Sequence, residues 1–169
     1  LGGADPDNCT EMVVKALGRF NREDLRSTVV IGGSNPNESS VTAAAERTDA
    51  AVNLRLDVSN MASLMAEHDL AVSAGGSTCW ELAFMGVPNI IFELAENQKG
   101  IAEGLENLGA AINLGWHETV TRQAVSDAIR TLLQKDERRV EMARKGQTLV
   151  DGKGVRRVVN KFREHPINT

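Results

Sequence analysis

Five short aliphatic runs, several of them β-branched, lie at residues 28–31, 51–56, 70–73, 89–93 and 111–114, and amphipathic stretches of helical length separate them. A brief apolar run without polar alternation reads as a strand buried on both faces. The intervening stretches predict helices over 8–20, 38–47, 60–68, 78–86 and 97–108, with three more at 121–133, 137–149 and 154–163. Asn8 stands at the start of the first, with Glu11 at capping-box spacing. Asn60 is placed to cap the third, whose Met61, Leu64 and Met65 share a face. Strands alternating with helices build βαβ units, which cross over right-handed. The expected class is therefore α/β, a Rossmann-like parallel sheet with helices on both faces. Ligands of such sheets bind outside the carboxyl ends of the strands. That singles out five loops: 2–7, 32–37, 57–60, 74–78 and 94–98.

Composition removes several function classes. A chain of 169 residues, 41% apolar and 25% charged, fits one soluble globular domain over residues 1–169. No apolar run approaches the roughly 20 residues needed to span a bilayer. Residues 1–10 lack the basic start and apolar stretch of a secretion signal. The net charge of -4 and the 4% aromatic content argue against a nucleic-acid partner. Lys and Arg gather only between Arg138 and Arg163, mixed with Glu, as on a solvated helix face. Cys9 and Cys79 lie far apart without metal-ligand spacing, as reduced thiols of a cytoplasmic protein would. Leu1-Gly2-Gly3 reads as the last residue of a strand entering a glycine turn, so a longer parent protein is expected.

Three of the five loops hold paired glycines: Gly2-Gly3, Gly32-Gly33 and Gly75-Gly76. Such a loop opening a helix offers free N–H groups and the positive helix end to a phosphate. Neither a G-x-G-x-x-G dinucleotide fingerprint nor a P-loop is present. Glu81, in the first turn after the third pair, is placed to accept two hydrogen bonds from a ribose diol. The same spacing, Thr78-x-x-Glu81, also spells a capping box, and the sequence leaves both readings open. Asp5-Pro6-Asp7 spells a D-x-D pair, but Asp-Pro starts turns, and no metal is expected there. His68, His117 and His165 stand beside no carboxylate or cysteine at a telling spacing. Ser73, Ser77 and Thr78 have no nearby base and no nucleophile elbow.

The stretch 57–98 resembles the UDP-binding region of the MurG-like GT-B enzymes. Within them it is most similar to the UDP-sugar hydrolase of pseudaminic acid biosynthesis and its spore-coat polysaccharide relatives. Several motifs carry the likeness: Gly2-Gly3-Ala4-Asp5-Pro6, Ser73-Ala74-Gly75-Gly76-Ser77-Thr78-Cys79-Trp80-Glu81-Leu82, Gly86-Val87-Pro88 and Leu94-Ala95-Glu96-Asn97-Gln98. Asp151-Gly152-Lys153-Gly154, followed by Arg156 and Arg157, also fits. The resemblance implies the C-terminal, nucleotide-holding half of a two-domain GT-B enzyme. In it, the backbone at Val58 would read the uracil edge with Met61 nearby. Gly75, Gly76, Ser77 and Thr78 would cradle the diphosphate, and Glu81 would hold the ribose. Asn97 and Gln98 would face the sugar. Gly3 would approach the phosphates, with Asp5 further out. The implied function is release of UDP from a UDP-diacetamido-trideoxyhexose for nonulosonic acid or surface polysaccharide. The alternatives are the donor-binding domain of a GT-B glycosyltransferase, or a subunit of one. The implied partners are UDP or a UDP-sugar and the N-terminal domain, which would supply the catalytic base. No cofactor or metal is implied.

Overall fold

The structure, a computed structural model, describes residues 1–20 and 25–164. His165 therefore lies outside the described residues. The chain runs α1 (Cys9–Leu17), β1 (Arg26–Ile31), α2 (Glu38–Glu46), β2 (Ala51–Leu56), α3 (Met61–Ala66), β3 (Ala71–Ala74) and α4 (Thr78–Met85). It continues through β4 (Asn89–Glu93), α5 (Glu96–Asn107), β5 (Ala111–Trp116), a single 3₁₀ turn (His117–Thr119), α6 (Arg122–Gln134), α7 (Asp136–Leu149) and α8 (Gly154–Glu164). Every strand pairing is parallel, as the alternation requires. Among the described residues the strands form two hydrogen-bonded groups, β1-β2 and β3-β4-β5, rather than one continuous ladder.

β4 explains why its sequence lacks polar alternation: all five of its residues are buried. Ile90 and Phe92 join Val13, Leu17, Val125, Ile129 and Leu132, the inward stripes of α1 and α6. Ile91 faces the other way, into Cys79, Ala102 and Leu105 from α4 and α5. A parallel strand covered by helices on both faces has no solvent side on which to place polar residues. Val29 and Ile31 of β1 pack with Val14 and Val41, closing the same layer over α1 and α2.

One local expectation needs correction. Asn8 does not cap α1. It adopts a left-handed backbone (φ 54°) and makes no side-chain cap bond. The Asp5 carboxylate performs that task, accepting the Cys9 N–H at 3.1 Å and the Thr10 N–H at 2.9 Å. Asn8 instead donates to Glu11 and Ser40, tying α1 to α2. Gly2–Ala4 form the turn that the glycine pair implied, and Leu1 pairs with no strand among the described residues. Because Asp5 satisfies two otherwise orphaned amides from a buried position, Asp5→Ala is expected to cost about 1–2 kcal/mol of stability. Chemical denaturation checks this, and an unchanged midpoint would count against the cap.

Candidate functional site

The carboxyl ends of the strands gather the five loops into two clusters. The first joins the loops after Leu1, β1 and β2. A Cβ placed on Gly32 would lie 2.5 Å from the Gly3 carbonyl oxygen, so only glycine lets these two loops touch. Ser34 donates to the same carbonyl at 3.3 Å. Asn37 donates to the Asp5 carbonyl at 2.8 Å. Asp57, held at φ 44°, accepts the Gly33 N–H at 2.5 Å. Gly3 is exposed, while the Asp5 side chain is buried beneath it in its capping role.

The second cluster lies where β3 and β4 end. The Gly75 N–H donates across to the Phe92 carbonyl at 2.9 Å. A Cβ on Gly75 would sit 3.0 Å from Gln98 Cβ, so this glycine is needed for the packing of α5. Gly76 meets nothing within 4 Å and is the glycine open to a ligand. α4 opens there without a side-chain cap. Cys79 and Trp80 send their N–H groups back to Gly76 and Ser77. The N–H groups of Gly76, Ser77 and Thr78 have no partner among the described residues. Three free amides at a helix start form a ready anion site.

Glu81 is exposed one turn further on and makes no hydrogen bond or ion pair among the described residues. The capping box is not formed, because Thr78 is already inside the helix and Ser77 holds the cap position. Gln98 turns its carbonyl Oε1 to the Leu94 N–H at 2.9 Å, which leaves its NH₂ as the donor end. Asn97 beside it is exposed. Val58 and Met61 are half-buried, and Met61 also packs on the cluster of Met65, Leu82 and Val87 between α3 and α4. Asn60 caps α3 as its position implied, accepting the Ser63 N–H at 3.1 Å.

Sequence spacing missed one contact at this edge. His117 places Nε2 3.9 Å from the Asp7 carboxylate, which links the end of β5 to the first loop. Those residues are 110 positions apart, so no local signal could have paired them. His68 is occupied elsewhere, contacting the Leu64 carbonyl at 2.7 Å and Thr28 Oγ1 at 3.0 Å. Glu93 is buried at the end of β4 and accepts from Asn113 Nδ2 at 2.7 Å.

Both cysteines are buried. Burial foremost, and then the nearby Asp5 carboxylate, pushes the Cys9 thiol up to about 11; burial likewise raises that of Cys79. Neither has the lowered thiol pKa that a nucleophile needs. Among the described residues no His, Cys, Asp and Glu side chains gather in a metal-binding group. A groove of about 380 Å³ lies between α1 and α2, lined by Lys15, Arg19, Arg47 and Arg122, away from these loops. No helix among the described residues is long and apolar enough to cross a membrane.

This arrangement has recognisable relatives. The chain is 29% identical over 159 residues to the spore coat polysaccharide biosynthesis protein SpsG of Bacillus subtilis (strain 168), covering 94% of this chain. It spans 47% of that protein's length. Its fold matches the crystal structure of MurG from Acinetobacter baumannii with a TM-score of 0.79 at 20% identity, covering 96% of this chain and 48% of that one. It also matches WaaG, a glycosyltransferase involved in lipopolysaccharide biosynthesis, with a TM-score of 0.71 at 16% identity; the match covers 99% of this chain and 45% of WaaG. The five strands and their flanking helices are thus one half of a GT-B architecture. With residues 2–158 matching the glycosyltransferase family 28 C-terminal domain, the chain belongs to that family.

Proposed function

We propose that this domain holds the nucleotide-sugar donor of a GT-B glycosyltransferase acting in polysaccharide biosynthesis, and that the nucleotide is UDP. The observation that carries the reading is the open start of α4, where the Gly76, Ser77 and Thr78 amides are unpartnered. Backbone N–H groups together with the positive helix end stabilise a diphosphate without a metal ion. Glu81 is free to take the ribose hydroxyls, and the Gln98 NH₂ and Asn97 are free to meet the sugar. The backbone near Val58, with Met61 beside it, reads the base. Gly3 borders the phosphates. Asp5 acts at a distance, by fixing the first loop and α1.

The relatives named above are about twice as long as this chain, which supports a second domain as partner. Val155, Val158, Val159 and Phe162 on α8 are all exposed at helical spacing and would suit burial against it. Hydrolysis, with water in place of an acceptor, is the second reading. The Ser73–Leu82 motif together with Leu94–Gln98 favours it by resemblance to the UDP-sugar hydrolase.

The nucleotide assignment is tested by calorimetric titration of residues 1–169 with UDP, ADP and GDP. UDP is expected to bind at least about tenfold more tightly, a difference of roughly 1.4 kcal/mol, with EDTA without effect. Equal affinities would remove the uracil assignment, and a strict metal requirement would remove the amide cradle.

A further inference from the structure

Asn89 is a costly residue in its setting. It is 3% exposed in a strand whose five residues are all buried, and its Oδ1 has no hydrogen-bond partner among the described residues. A half-satisfied buried amide destabilises a fold, and such violations collect at functional sites. Its Nδ2 shows what it does there, donating to Ser73 Oγ at 2.8 Å and contacting Cys79 Sγ at 3.4 Å. Those two groups converge on one atom. Ser73 Oγ donates to the Ala74 carbonyl at 3.0 Å and Cys79 Sγ donates to it at 3.2 Å.

The Ala74 carbonyl is the acceptor that a longer α4 would use, because an α-helix pairs each N–H with the carbonyl four residues back. Thr78 N–H would close on Ala74, and one of the three free amides would be lost. A carbonyl oxygen has two lone pairs, and both are engaged here by side chains. We propose that Ser73, Cys79 and Asn89 form a buried positioning network that occupies the Ala74 carbonyl, stops α4 from extending backward and so keeps the Thr78 N–H free for the phosphates of the donor. These three are positioning residues, since none touches the ligand. The proposal rests on the diphosphate site argued above.

The test compares the wild-type chain with Cys79→Ala, Cys79→Ser and the double variant Ser73→Ala/Cys79→Ala. The first readout needs no ligand: hydrogen exchange at the Thr78 amide, followed by NMR. Exchange is expected to slow in Cys79→Ala and further in the double variant, with Cys79→Ser, which keeps a donor, close to wild type. The second is the preference for UDP over UMP by calorimetry. It is expected to fall about tenfold in the double variant, the worth of one charge-assisted hydrogen bond, while uridine affinity holds. Unchanged Thr78 exchange in both alanine variants would overturn the network even if UDP binds as proposed. A lowered melting temperature with an unaltered UDP-to-UMP preference would also overturn it, since a merely structural role predicts that pattern. Wild-type protein that binds no UDP would instead remove the site reading, and the exchange measurement would still decide the network.

Discussion

Glu81→Gln is expected to lower UDP affinity about tenfold or more while leaving stability almost unchanged. The two readings of this residue separate on those quantities. As a helix-start residue, Glu81 would act through its charge near the positive end of α4, typically worth about 0.3–1 kcal/mol at an exposed position. As a ribose ligand, it would accept two charge-assisted bonds, each about 1.5–3 kcal/mol. Glutamine keeps the shape and one acceptor oxygen but loses the charge, so the binding loss is the larger effect. The structure favours the second role: Ser77 is the cap residue, Thr78 lies within the helix, and Glu81 is exposed without a partner among the described residues. Paired calorimetry and thermal melts give the decision. A fall in melting temperature with UDP affinity intact would return Glu81 to a structural role.

How far the sequence reached depended on whether a feature was local. β4 and its flanking helices were legible because a strand buried on both faces has no polar alternation, and because α5 and α6 carry apolar stripes at helical spacing. The loop after β3 was legible from its paired glycines, although they divide the work. Gly75 serves the packing of Gln98, and Gly76 alone faces open space. The cap of α1 is not legible in the sequence, because Asn8 sits where a cap belongs while the true cap reaches from Asp5 through a turn with positive φ at both residues. Such backbone settings leave little trace in residue identity. The contacts of His117 with Asp7, and of Asn89 with Ser73 and Cys79, depend on how distant strands come together. The division of the strands into groups of two and three has the same origin, since runs of apolar residues specify strands but not their neighbours.

The largest effect is expected in turnover: residues 1–169 alone should release no UDP from UDP-N-acetyl sugars above background, and adding the complementary domain should restore it. Displacement at the anomeric carbon needs a base within about 3 Å of the attacking oxygen. Three carboxylates at this edge are already engaged: Asp5 is buried against the α1 amides, Asp57 holds Gly33, and Glu93 is bonded by Asn113. His117 lies 3.9 Å from Asp7 and would need the second domain to bring a substrate within its reach. Glu81 is free, and in the proposed reading it holds the ribose. In the proposed reading, the amides of Gly76, Ser77 and Thr78 would stabilise a leaving diphosphate strongly only with water excluded. A second domain closing over the loops would supply both the base and the dry environment. The assay is UDP release from a panel of UDP-N-acetyl sugars. It is run on this chain alone, with the N-terminal domain added in trans, and with the two joined. With an acceptor present, transfer and hydrolysis separate by whether UDP release depends on that acceptor. Robust turnover by residues 1–169 alone would overturn the half-site reading. It would direct attention to His117, which together with Asp7 is the one imidazole–carboxylate pair at this edge among the described residues.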